Sequence, residues 1–154
     1  MSYNIDYEKK AEEYFLKGYN CAQSVTAAFS KDVGIPPETL LRLSCSLGGG
    51  FARKRYVCGA VSGMGIVLGL LYADDSPDAK KESYKLVRRL CEKFESEFGS
   101  IICSELLGAK IAGDCSPTPV ERTKEYYKTR KCKDCVKYAA RLVAQEIDAD
   151  GKHL

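Results

Sequence analysis

The sequence has no tryptophan, two methionines and one histidine, His153, next to its last residue. That scarcity removes several chemistries at once. No Ser–His–Asp set can be assembled around a histidine in the tail, and covalent c-type haem needs a C-x-x-C-H that the chain lacks. Neither charge sign dominates. A formal net charge of +3 does not make the concentrated basic face that nucleic acid or an anionic membrane demands, so no nucleic-acid partner is expected. Long apolar runs are missing too. The longest, residues 57–73, is rich in glycine and falls short of the roughly 20 residues of a membrane span. The opening MSYNIDYEKKAEEYF is charged, which argues against a secretory signal. No segment alternates as a half-buried strand would, and there is no repeat or low-complexity linker.

What the sequence does have is cysteine, eight in 154 residues. The expected compartment is the cytoplasm, where thiols stay mostly reduced. Abundant cysteine there reads as metal-binding or redox-active rather than as a disulfide framework. The length suits one domain, residues 1–154.

Periodicity predicts an all-α, single-domain bundle of about five helices. Tyr7, Ala11, Phe15, Ala22, Val25 and Phe29 fall at helical spacing over 6–30. Pro36-Pro37 opens a second helix over 38–47, because proline suits a first turn. A third is expected from about residue 57 to 72. It carries Gly59, Gly63, Gly65 and Gly69, each costing about 1 kcal/mol relative to alanine. Such a cost is usually offset by close approach of another backbone or a ligand. A fourth spans 77–98, with Val87, Cys91, Phe94 and Phe98 along one side. After a turn at 101–107 and an irregular stretch from 108 to 119, the last helix covers 131–147, and the tail from 148 is expected to fray.

The stretch GGGFARKRYVCGAVSG, residues 48–63, focuses the functional question. It fits neither G-x-x-x-x-G-K-[ST] nor G-x-G-x-x-G and follows no strand, so a phosphate cradle is disfavoured. Cys58 follows Arg53, Lys54 and Arg55 and opens a helix. A helix N-terminus and nearby cations both lower a thiol pKa. Cys103 lies in a short turn. Cys132 and Cys135 form a C-x-x-C at a helix start, which fits half a zinc site or a dithiol. A thioredoxin setting is disfavoured for want of a strand, and a zinc ribbon for want of a second C-x-x-C. Cys45 and Cys91 read as core. Cys115 sits in a loop as a further ligand or an exposed thiol.

GYNCAQSV around Cys21, the LGGG loop, CGAVSG from Cys58 to Gly63, SIICSELLG around Cys103 and KCKDCV together resemble the C_GCAxxG_C_C family of small bacterial and archaeal proteins, described as redox-active. The resemblance covers residues 8–147. It implies that the four family cysteines are Cys21, Cys58, Cys103 and Cys132, with Cys135 as the alternative to Cys132. It also implies a lean towards iron–sulfur ligation and a place beside a transport system.

Three functions compete. In the first and favoured one, Cys21, Cys58, Cys103 and Cys132 hold an iron–sulfur cluster, most simply [2Fe–2S], with Gly59 and Gly63 leaving room for it. In the second, Cys58 is the attacking thiolate of a thiol–disulfide protein. In the third, zinc is a staple in an accessory protein. The redox partner is not named by any motif, and association of copies is left open.

Overall fold

The computed structural model describes residues 2–151. Among them the chain forms ten helices and no strand: α1 Ser2–Leu16, α2 Cys21–Ala28, α3 Ser30–Val33, α4 Pro37–Leu43, α5 Gly59–Tyr72, α6 Ala79–Phe98, α7 Cys103–Leu107, α8 Ala109–Ala112, α9 Lys124–Thr129 and α10 Cys132–Asp150. The all-α class holds. The count of about five does not, and the difference has local causes.

The helix expected over 6–30 is broken. Gly18 turns the chain at φ +106°, a conformation open to glycine and strained for other residues. Asn20 then caps α2: its side chain accepts from the Gln23 N–H at 2.9 Å, and the Gln23 side chain accepts from the Asn20 N–H at 3.0 Å. This reciprocal box satisfies two otherwise orphaned donors. The helix expected over 38–47 gives way to a 3-10 turn, Cys45–Leu47. Cys45, expected in the core, is exposed on it. The last helix runs on through Asp150 to a left-handed Gly151 cap, so fraying does not begin at 148. His153 lies outside the described residues.

α10 packs along α1 and α2, and α5 lies against α2 and α10. Phe15, Phe29, Met64, Leu90, Phe94 and Leu142 are among the side chains closed off in the shared core. Each such side chain contributes about 1.5–3 kcal/mol relative to staying exposed. Paired charges tie the rim: Arg141 donates to both carboxylate oxygens of Glu8, at 2.9 and 3.2 Å, and Lys137 meets Glu12 at 3.1 Å. No helix among the described residues is long and apolar enough to cross a membrane.

The glycines of α5 divide into two kinds. A Cβ on Gly63 would stand 2.8 Å from the Ala22 carbonyl oxygen, and one on Gly59 would meet Ala22 N and Leu47 O at 3.1 Å. These two let α2 lie directly against α5. Gly65 and Gly69 face open space, and nothing in the packing accounts for them.

Candidate functional site

Four of the predicted cysteines stand at the starts of four different helices. Cys21 is the first residue of α2, Cys58 the N-cap of α5, Cys103 the first residue of α7 and Cys132 the first residue of α10. Cys135 follows one turn into α10. All five line a single cavity of about 60 Å³. The remaining three do not: Cys45 and Cys115 are exposed, and Cys91 is half-buried on α6, where burial pushes its thiol up.

Two loops are stitched together to bring Cys58 beside Cys103. Val57 and Ile102 form an isolated antiparallel bridge. The Cys58 N–H donates to Ile101 O at 2.8 Å, and the Cys103 N–H to Tyr56 O at 2.6 Å.

The glycine loop does something its sequence hides. Gly49, Gly50, Phe51, Ala52 and Arg53 all have positive φ, between 49° and 75°, as does Arg55. Left-handed backbone costs a non-glycine residue about 1–2 kcal/mol, so four such residues form a strained segment. Long-reach bonds hold it, including Ala52 N–H to Ser46 O at 2.7 Å and Tyr56 N–H to Gly50 O at 2.8 Å. Strain of this kind gathers at functional sites. Here it turns two arginines inward. Arg53 donates to the carbonyls of Ser116 and Thr118 and pairs with Asp114 at 3.2 Å. Arg55 donates to Asp114 O at 2.9 Å and reaches the Cys103 sulfur at 3.8 Å.

Arg122 and Arg130 complete the charge pattern. Arg122 donates to Phe15 O at 2.8 Å and Tyr19 O at 2.9 Å. The two guanidinium groups lie over the Tyr126 ring, 5.0 and 4.4 Å from its centroid, contacts that attract cation to ring face. Neither arginine was singled out by the sequence reading. Their only local signal is a spacing of four residues on either side of Tyr126, with Arg130 two residues before the C-x-x-C.

These surroundings sort the thiols into two pairs. The neighbouring Cys21 thiol favours the Cys132 anion. That interaction, aided by Arg130, Arg122 and Arg55 against the penalty of burial, holds Cys132 at about 7. Cys21 is pushed well up in return, by the same contact and by burial. Deeper in, Cys135 plays the donor to Cys58. Cys58 is lowered first by Cys135 and then, against burial, by the N–H groups of Ala60 and Val61 at the open start of α5, although no full cap hydrogen bond forms. Cys135 is raised. The basic run therefore does not act on Cys58 as expected. Arg53 is spent on the neighbouring loop, while Arg55 opposes the burial that raises Cys103 and favours the Cys132 thiolate. Tyr126, pushed up to about 12 mainly by burial, stays protonated beside them.

The profile of the family described as "Putative redox-active protein (C_GCAxxG_C_C)" matches residues 19–146. The chain belongs to this family. No curated protein and no solved structure matches it. The family description agrees with a redox role for the cysteine cavity and goes no further.

The donor type would suit an iron–sulfur cluster or zinc. Yet no group of three or more His, Cys, Asp or Glu side chains among the described residues is drawn together to hold a metal ion. Gly59 borders the cavity, but it and Gly63 are both accounted for by the α2–α5 contact.

Proposed function

We propose that this protein carries out thiol–disulfide exchange, with Cys132 as the attacking thiolate and Cys21 as the resolving thiol. One observation carries the reading: Cys132, half-buried in the lining of the cavity that Cys21 also lines, is held at about 7 by that thiol and three guanidinium groups. Near neutral pH about half of it is the nucleophilic thiolate, close to the best compromise between ionisation and intrinsic nucleophilicity. Cys58 is also lowered but is only 6% exposed. It serves as the inner partner of Cys135. A cytoplasmic reductant of the dithiol class would return the pair to its reduced state.

Alkylation of the reduced full chain with iodoacetamide, read cysteine by cysteine by mass spectrometry, tests this directly. Cys132 should modify first, with an inflection near pH 7, and mild oxidation should yield a Cys21–Cys132 bridge. A Cys132 no faster than a model thiol would sink the proposal. So would near-stoichiometric iron and acid-labile sulfide in anaerobically purified protein, held through Cys21, Cys58, Cys103 and Cys132; that outcome would restore the cluster reading.

A further inference from the structure

The cysteine cavity does not end at the cysteines. It runs into a second chamber of about 250 Å³, and the two share Asn20, Gly49, Arg55, Arg122, Tyr126 and Arg130 as lining. Arg53 joins the lining of the second chamber, and among the described residues no Asp or Glu lines either space.

The charges in this lining are not balanced. Arg53 has Asp114 as its counter-ion at 3.2 Å. Arg55, Arg122 and Arg130 form no ion pair with any carboxylate among the described residues. Arg55 is 5% exposed and donates only to a carbonyl and a thiol. Arg122 donates only to carbonyls, which leaves three of its five N–H groups unused. Arg130 rests on the Tyr126 ring with no hydrogen-bond acceptor among the described residues, which leaves its five donors available to a ligand. A thiolate at Cys132 answers one charge, whereas Arg55, Arg122, Arg130 and Lys131 line the cavity. A positive excess remains. Of these side chains, Arg55 is buried, where a cation without a counter-ion is costly. Arg122 and Arg130 are half-buried, and planar guanidinium groups match carboxylates with paired hydrogen bonds.

We infer that the substrate of this site is a low-molecular-mass disulfide bearing carboxylates, its anionic end held by Arg122 and Arg130 in the outer chamber and its sulfur–sulfur bond against Cys132. This rests on the thiol–disulfide reading above and names its substrate class. The inner space is too small for anything but a few atoms, which favours a small molecule over the disulfide of a folded protein. In the exchange, the Cys132 thiolate attacks one sulfur of RSSR. The S–S bond breaks, RS⁻ leaves and Cys132–S–SR forms. Cys21 then gives up its proton to the departing thiolate and attacks the Cys132 sulfur, releasing the second RS⁻, which takes a proton from water. Two electrons pass from the protein dithiol to the substrate, yielding a Cys21–Cys132 disulfide and two RSH.

The test compares oxidation rates of the reduced full chain by oxidised glutathione, which carries carboxylates, and by cystamine, which is cationic. Each rate is divided by that of the same disulfide with a free cysteine peptide. The normalised ratio should favour oxidised glutathione by about tenfold or more, and Arg130→Gln should cut the ratio by about tenfold, as loss of one charge-assisted contact implies. Arg130 makes no hydrogen bond among the described residues, so the variant should stay folded, and far-UV circular dichroism checks that it does. Taking a ratio also cancels any change in Cys132 ionisation. A ratio near one in the wild type, with both disulfides oxidising the pair, overturns the carboxylate inference and leaves the thiol reading standing. A wild-type preference that survives in both Arg130→Gln and Arg122→Gln also overturns it. If neither disulfide oxidises Cys21 and Cys132, the thiol reading fails and takes this one with it.

Discussion

The Cys21–Cys132 and Cys58–Cys135 pairs share a plan and differ in their surroundings. In each, the two thiols act on one another so that one member is lowered and its partner raised. In the outer pair the Cys21 contact acts first on Cys132, and side-chain cations add to it: Arg130, Arg122 and Arg55. The inner pair relies on backbone, through the Ala60 and Val61 amides at the start of α5. Side-chain charge can be removed by one substitution, whereas helix amides cannot. Exposure differs as well, since Cys132 and Cys21 are half-buried while Cys58 and Cys135 are buried. A lowered pKa gives reactivity only where a reagent can reach the sulfur. On the proposed function, the outer pair is the one that reacts and the inner pair is shielded.

The largest effect that would sharpen this contrast is expected from Cys132→Ser. Exchange with a small disulfide should fall by about a hundredfold or more, because a serine hydroxyl is not ionised near neutrality. Cys58→Ser should change the same initial rate less than about threefold. Stopped-flow oxidation of the two variants gives the answer, and equal losses would erase the distinction between the pairs.

A packing change should disturb both pairs together. In Gly63→Ala the new Cβ would stand 2.8 Å from the Ala22 carbonyl, a backbone atom with little freedom to yield. Overpacking of this kind costs about 1–3 kcal/mol. Gly65→Ala has open space around it and should instead stabilise by about 0.5–1 kcal/mol. Urea unfolding of the two variants should move the midpoint in opposite directions. Because α2 carries Cys21 and α5 is capped by Cys58, Gly63→Ala should also slow bridge formation between Cys21 and Cys132.

Much of the frame was legible in the residues, and the gaps have physical reasons. The apolar stripes of α6 and α10 marked them closely, since Phe94, Val136, Ala140 and Ile147 recur at helical spacing and are buried. The break between α1 and α2 was hidden because Ala22, Val25 and Phe29 continue the spacing of Tyr7, Ala11 and Phe15 across it. All six face one core. α9, with sequence KEYYKT, has no apolar stripe to reveal it. In the site, Cys21, Cys58, Cys103 and Cys132 could be picked out by motif, and Cys58 as a helix start by its small neighbours. The arginines could not. Phe51, Ala52, Arg53 and Arg55 take left-handed backbone that nothing in their side chains requests. Long-range bonds impose it, and with it the inward turn of Arg55. Likewise, Arg122 and Arg130 look like solvated charges until Tyr126 is placed beside Cys132.

The smallest effect is on stability, and its sign follows from proton counts. The Cys132 thiol, near 9 in an unfolded chain, is held at about 7 in the fold. Between those values the unfolded chain binds more protons than the native one, so stability from this group rises with pH. It is fully present above about pH 9 and lost as pH falls through about 7, by an amount on the order of 1 kcal/mol. Cys21 and Cys135 act in the opposite sense. Raised in the fold, they contribute stability that is complete below the unfolded value near 9 and lost only as pH climbs through their folded values. Reduced protein should therefore gain stability from pH 7 towards pH 9 and lose it at still higher pH. Arg130→Gln weakens the cation field on Cys132 without touching the Ala60 and Val61 amides. It should flatten the rise between pH 7 and 9 and leave the high-pH limb in place. Urea midpoints across that range, measured under reducing conditions, separate the two limbs. An unchanged rise in Arg130→Gln would mean that the lowering of Cys132, like that of Cys58, comes from contacts other than this arginine.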